Sequence, residues 1–231
     1  MKQLDMNYET GMDIDGESPT DQENPGAIEK LIFLAVLLIG ILVRVLAIGN
    51  IPAGINQDEA YAGYEAYSIL TTGKDSFGYH LPVYLMTWGS GMNALESYLM
   101  IPFIALFGLK TWVIRLPQML VGIATLLAIY GSMKELFNQR VAGIAMVLLA
   151  ISPWHIMMSR WGLESNLAPG MLCIAFFFFL KGMKKEPFYL LSALFYGLSL
   201  YAYATIWPLV PALLIGQILY AIIYKKCKLS K

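Results

Sequence analysis

Residues 31–49 read LIFLAVLLIGILVRVLAIG, and residues 50–61, which follow, read NIPAGINQDEAY. The first stretch is apolar except for Arg44. At about 1.5 Å of rise per residue it nearly spans a hydrocarbon core of about 30 Å. Just beyond it stand two adjacent carboxylates, Asp58 and Glu59. Acids are costly beside lipid, so a pair of them at the exit of a membrane helix calls for a chemical reason. The reading that follows is a membrane protein with an acid-bearing aqueous face.

The rest of the chain agrees with a membrane setting. Hydrophobic residues make up 58% of the sequence and mean hydropathy is +0.59, above the roughly 45–50% apolar content of ordinary soluble domains. Further apolar blocks run over 112–133, 141–154, 167–180, 188–204 and 208–224. Several are shorter than the usual ~17–25 residues of a span, so their ends must extend into flanking residues or the bilayer must thin. The formal net charge of zero hides an asymmetry. Residues 1–30 carry eight acids against Lys2 and Lys30, which predicts a disordered acidic tail and not a signal peptide. Residues 31–49 are therefore read as a retained anchor. No basic region suits nucleic acid, and Cys173 and Cys227 have no metal-like spacing.

Basic residues set the topology, because Lys and Arg favour cytoplasmic loops. Lys134 and Arg140 bracket one short connection, Lys181, Lys184 and Lys185 occupy another, and Lys225, Lys226, Lys228 and Lys231 close the chain. Two apolar blocks separate each successive pair of clusters and two precede the first, which predicts six spans with both ends inside. The run ALESYLMIPFIALFG over 94–108 contains Glu96 and Pro102. Were it to cross, Asp58 and Glu164 would fall on opposite faces, so it is expected to lie at the outer surface. The fold class is all-α: a polytopic helical bundle of about six spans over 31–224, with a basic cytoplasmic end at 225–231. Its first external loop covers 50–111 and carries an interfacial helix; the second covers 153–166 and carries His155, Arg160 and Glu164.

Asn56 with Glu59 forms a capping-box pattern, and Thr72-Gly73 offers a stop, which predicts a helix between them. Tyr61, Tyr64 and Tyr67 on that helix suit a membrane interface. Both acids in its first turn complement the helix dipole, and capping accounts for Glu59 as well as catalysis does. Arg44 is expected to snorkel to headgroups or to pair with an external acid. His155 beside Trp154 reads as a packing residue. Tyr201, Tyr203, Trp207 and Trp161 fit an aromatic belt.

In order along the chain stand Gln57-Asp58-Glu59-Ala60-Tyr61, Leu70-Thr71-Thr72-Gly73, Leu81-Pro82-Val83-Tyr84, Leu106-Phe107-Gly108, Arg115-Leu116-Pro117 and Ser152-Pro153. This series resembles the membrane glycosyltransferases of the GT-C fold, among them the dolichyl-phosphate-mannose–protein mannosyltransferases and the aminoarabinose transferases of lipid A. The resemblance covers about residues 31–224. It implies an integral protein of the plasma membrane that moves a sugar from a polyprenyl-phosphate carrier to an acceptor of unspecified kind on the external face. It places the catalytic acid at Asp58, with Glu59 beside it, and a second acid at Glu164, where the family more often has Asp. In some members a divalent metal ion bridges such loops, which would make Asp58 and Glu164 ligands. The chemistry itself asks for a base at the acceptor hydroxyl and for positive charge at the departing phosphate, for which Arg160 and Arg115 are the candidates; snorkelling to headgroups is the alternative for Arg160, and a structural pairing with a loop carboxylate is the alternative for Arg115.

Transferases of this type are about twice as long, so the resemblance implies a missing C-terminal half, and with it the alternative of an inactive fragment. A non-catalytic membrane subunit shares the same topology. A transporter would line a midplane path with ionisable residues, and the spans here hold almost none.

Overall fold

The computed structural model describes residues 25–87 and 89–229. Most of the acidic tail expected over 1–30, and the side chains of the basic end expected over 225–231, lie outside the described residues. Ten helices and one hairpin follow in the order α1 (Ala27–Val45), α2 (Gln57–Thr72), β1 (Tyr84–Thr87), β2 (Ser90–Asn93), α3 (Leu95–Phe107), α4 (Thr111–Ile114), α5 (Leu116–Leu136), α6 (Gln139–Ile151), α7 (Pro153–Met158), α8 (Glu164–Gly182), α9 (Phe188–Leu200) and α10 (Ile206–Leu229).

Six of these helices stand side by side. α1 packs on α6, α6 on α5, α5 on α8, α8 on α9 and α9 on α10. Glycines set several of the crossings. A β-carbon at Gly143 would lie 2.1 Å from the Phe33 ring, one at Gly131 2.2 Å from Phe177, and one at Gly170 2.5 Å from Val121. Lipid supplies no hydrophobic drive between helices, so close backbone approach at small residues carries the packing. α5, α8 and α10 are long and apolar enough to cross a membrane unaided. α1 has 19 residues but includes Glu29, Lys30 and Arg44. α6 and α9, at 13 residues each, reach only ~20 Å at 1.5 Å per residue. Together these make the all-α membrane bundle expected from the sequence, and the chain is an integral, multi-pass membrane protein.

The two ends of the bundle differ in chemistry. At one end Arg140 at the start of α6 pairs with Glu29 at the start of α1 (2.9 Å), and Lys181 on α8 with Glu135 on α5 (2.7 Å), joined by Lys184. α1 therefore begins four residues before the expected boundary at Leu31, with Glu29 already helical. The other end gathers the C-terminus of α1, the N-termini of α5 and α8, and the helices of the first loop. Both ends of α3 lie here: its first turn sits beside Gly162 and α8, and α4 follows its last turn to deliver Arg115 to α2. A helix with both ends at one end of the bundle does not cross it. α8 starts at Glu164, so that residue opens a span, where a loop position was expected.

The first loop has a core of its own. Ala62 and Ala66 of α2, Leu85 and Met92 of the hairpin, Met100 and Ile104 of α3, and Val113 and Ile114 pack as one cluster. The hairpin is antiparallel, pairing Tyr84 with Asn93 and Thr87 with Ser90, and Gly89 at φ 76° lets it turn.

Candidate active site

The site is built at the acid-bearing end, on the first turn of α2. Asn56 Oδ1 accepts the Asp58 N–H (2.8 Å), and the Asn56 N–H donates to Glu59 Oε2 (3.0 Å), closing the capping box. One turn of helix sends the two acids in opposite directions. Asp58 is exposed, while Glu59 is wholly buried.

Glu59 is fully occupied. Arg115 donates to both its oxygens, Nε to Oε1 at 2.8 Å and Nη2 to Oε2 at 3.0 Å. The Gly162 N–H adds a bond to Oε1 at 2.8 Å, and Asn56 supplies the fourth. Arg115 uses its remaining three N–H groups on the carbonyls of Ile48, Pro52 and Gly54. All five of its donors are then taken. The pair ties α2, the exit of α1, the start of α5 and the loop before α8 into one unit. Of the roles expected for them, the structure shows the structural ones: Glu59 caps α2 and Arg115 pairs with this loop carboxylate, in a buried bidentate ion pair that leaves no group over for the catalytic and phosphate roles also expected.

Arg160 is likewise committed. It donates to Val43 and Leu46 O (2.7 Å for the latter) and twice to Ile51 O (3.0 and 3.1 Å), and it is 3% exposed. It caps the last carbonyls of α1, where a cation also suits the helix dipole. Burial and the nearby Arg115 charge lower its pKa. The expected phosphate role does not fit a guanidinium held this way. Arg44 neither snorkels nor meets an acid. It bonds Gly40, Leu149 and Ala150 O, Ser159 Oγ and His155 Nδ1 (2.7 Å). His155 accepts that bond, so its proton sits on Nε2. Burial, and then the Arg44 charge, push His155 down to about 4. It is a neutral packing residue, as the sequence suggested.

Asp58 and Glu164 are brought together. Glu164 feels the charge of Asp58, and its Oε2 accepts the Asn93 N–H at the end of the hairpin. Beside Asn93 opens a groove of about 970 Å³, lined by Tyr84, Tyr201, Trp207, Val210 and Leu214. Among the described residues no three His, Cys, Asp or Glu side chains converge as a metal cage. Asp58 and Glu164 are the two carboxylates that would hold a divalent ion, with water and substrate oxygens supplying its remaining donors.

Two contributors escaped the sequence reading. Glu96, taken only as an obstacle to a membrane crossing, is 1% exposed and faces this cluster. Gly162 is the point of closest approach: a β-carbon there would lie 3.3 Å from Glu96 Oε1 and 3.5 Å from Glu59 Oε1. An acid inside an apolar run was the available signal for Glu96; nothing marked Gly162.

Residues 95–231 match the profile of the dolichyl-phosphate-mannose-protein mannosyltransferase family, a stretch that includes Glu96, Arg115, Arg160 and Glu164. No curated protein matches the chain. Among solved structures, ArnT from Cupriavidus metallidurans in its apo state superposes with a TM-score of 0.59 at 16% identity over 85% of this chain. At that identity the likeness is one of fold. The chain spans 36% of the length of that ArnT chain.

Proposed function

The chain belongs to the dolichyl-phosphate-mannose-protein mannosyltransferase family, and on that premise we propose that it moves a sugar from a polyprenyl-phosphate carrier to an acceptor at the external face of the plasma membrane. The observation that carries this reading is the division of labour between neighbouring acids. Glu59 is locked by Arg115, and Asp58 stands exposed opposite Glu164.

In the proposed reaction Asp58 takes the proton of the acceptor hydroxyl as its oxygen bonds to the sugar's anomeric carbon. The bond from that carbon to the carrier phosphate breaks, and the polyprenyl phosphate leaves with the electron pair. Glu164, fixed by the Asn93 N–H, holds sugar or acceptor hydroxyls. The apolar groove next to Asn93, open between the hairpin and α10, suits the isoprenoid chain of the carrier. Arg115 and Arg160 are held within the fold, so the positive partner of the phosphate is assigned to the part of such enzymes beyond the length this chain shares with them. A second reading follows from the same 36% coverage: the chain works as one subunit of a transferase completed by another polypeptide.

The test is transfer of radiolabelled sugar from a panel of polyprenyl-phosphate sugars in membranes holding the full chain, with Asp58→Asn alongside. A base predicts a loss of ~10²–10⁴-fold in Asp58→Asn at unchanged membrane level. Equal transfer by both proteins would sink the assignment of Asp58. Transfer that appears only when a second polypeptide is added selects the subunit reading.

A further inference from the structure

The end of the bundle away from Asp58 carries a surplus of positive charge. Among the described side chains, the helix ends there present Lys30, Lys134, Arg140, Lys181, Lys184 and Lys185, against Glu29, Glu135 and Glu186. Glu135 serves two of these cations at once, Lys181 at 2.7 Å and Lys184. The Lys184 side chain is nonetheless 65% exposed, and Lys30, Lys134 and Lys185 are exposed as well. The sequence adds four more lysines over 225–231, at the finish of α10.

The opposite charge is carried by the same chain and starts from the same end. The 24 residues before Pro25 hold seven acids, from Asp5 to Glu23, and one basic side chain, Lys2. They lead into α1, where Glu29, the next acid along, already pairs with Arg140 across to α6 at 2.9 Å. That ion pair is an interface already begun, with Lys134 on the same α5–α6 turn. The remaining lysines are within reach. α1 packs on α6, α6 on α5 and α5 on α8, and at ~8–10 Å per step the α8–α9 turn stands within about 30 Å of Glu29. At ~3.3 Å per residue, about ten residues of chain cover that distance.

We infer that the lysine-bearing end of the bundle is a docking platform for the chain's own acidic N-terminal segment, residues 1–24, with the Glu29–Arg140 pair as its root. The competing occupant is the anionic headgroup of a membrane lipid, which the same lysines also attract. A headgroup brings its charge singly, whereas the segment brings seven acids less one lysine on a tether rooted beside the platform. Its second and later contacts are then intramolecular. Docked, the segment neutralises the surplus and covers the turns that would otherwise hold headgroups. Such docking does not depend on sugar transfer.

The test is zero-length carbodiimide cross-linking of the full chain, one copy per nanodisc of phosphatidylcholine, with the joined peptides read by mass spectrometry. Carboxylates of residues 5–23 should couple to Lys134, Lys184 and Lys185, and not to Lys74 or Lys110 of the first loop. Their yield should drop on the order of 10-fold between 0.1 M and 1 M salt, as the screening length shrinks from ~10 to ~3 Å. A second measurement follows a bulky maleimide on Phe137→Cys, with Cys173 and Cys227 replaced; Phe137 is exposed on the α5–α6 turn. Changing the seven acids to Asn or Gln should speed its labelling several-fold at low salt and leave the rate at 1 M unchanged. Glu29 and Arg140 stay in place throughout, and unchanged helix content in circular dichroism shows the bundle intact. Segment carboxylates that do not couple, or that couple equally at both salts, overturn the inference. So does coupling that vanishes when phosphatidylglycerol is added to the discs, an outcome that gives the platform to headgroups.

Discussion

Asp58 and Glu59 are neighbours in sequence and opposites in circumstance, which makes substitutions at each diagnostic. Asp58→Gln should leave thermal unfolding of the purified protein near wild type, since the side chain is exposed and caps nothing through its own carboxylate. Arg115→Met should be far more damaging. It strands a wholly buried Glu59, and breaking a buried pair from one side costs ~3–5 kcal/mol; the readout is unfolding temperature in detergent and the amount of protein inserted. Glu96 adds a pH dependence of definite sign. Its pKa is raised in the folded state, so the native protein holds a proton that the unfolded chain releases first. Stability is then full below the ordinary glutamate value and falls as pH climbs toward the raised one. Glu96→Gln should flatten that slope, and a thermal scan across pH would show it.

At the scale of elements, the helix from Gln57 to Thr72 was legible because its signals are local: the Asn56–Glu59 box at one end and Gly73 in the left-handed region (φ 73°) at the other. That α3 does not cross the bundle was legible too, from Glu96 and Pro102 inside an apolar run. What sequence could not reveal was who meets whom. Arg44 and Arg160 looked like snorkels or phosphate ligands because their partners are mostly backbone carbonyls, and those carry no residue identity; for Arg115 a loop carboxylate was a legible partner, though not which one. Glu164 looked like a loop position because α8 starts earlier than its apolar run. The hairpin was missed because Thr87 to Ser90 is a short turn inside a longer irregular stretch. Close approaches are equally silent in sequence, and they give a prediction. Gly162→Val would push into Glu96 and Glu59, so it should cut transfer while leaving α5, α6 and α8 packed, as judged by unchanged helix content in circular dichroism.

For the molecule as a whole, the unlike ends of the bundle define its orientation. The bias of basic residues predicts the Lys181, Lys184 and Glu135 end inside and the acid cluster outside. With both native cysteines replaced, His80→Cys should react with a membrane-impermeant thiol reagent added to intact cells. Lys184→Cys should react only after the membrane is opened. The reverse pattern would place the acids on the cytoplasmic face and remove the external-acceptor reading.

The arginines that close this end also order events in time. Arg160 grips Val43, Leu46 and Ile51, and Arg44 grips Leu149, Ala150 and His155, bonds that bridge 105 to 117 positions of chain. While a ribosome is still making the middle of the protein, Arg115 can already hold Ile48, Pro52 and Gly54, but the carbonyls of Val43, Leu46 and Ile51 stay open. Only when residue 160 has emerged can the last turn of α1 be clasped, and only four residues later does Glu164 arrive. Asp58 and Glu164 thus meet only as α8 begins, and a nascent chain released before that point would leave the membrane machinery with an unclasped last turn of its first helix, a ready mark for quality-control proteolysis.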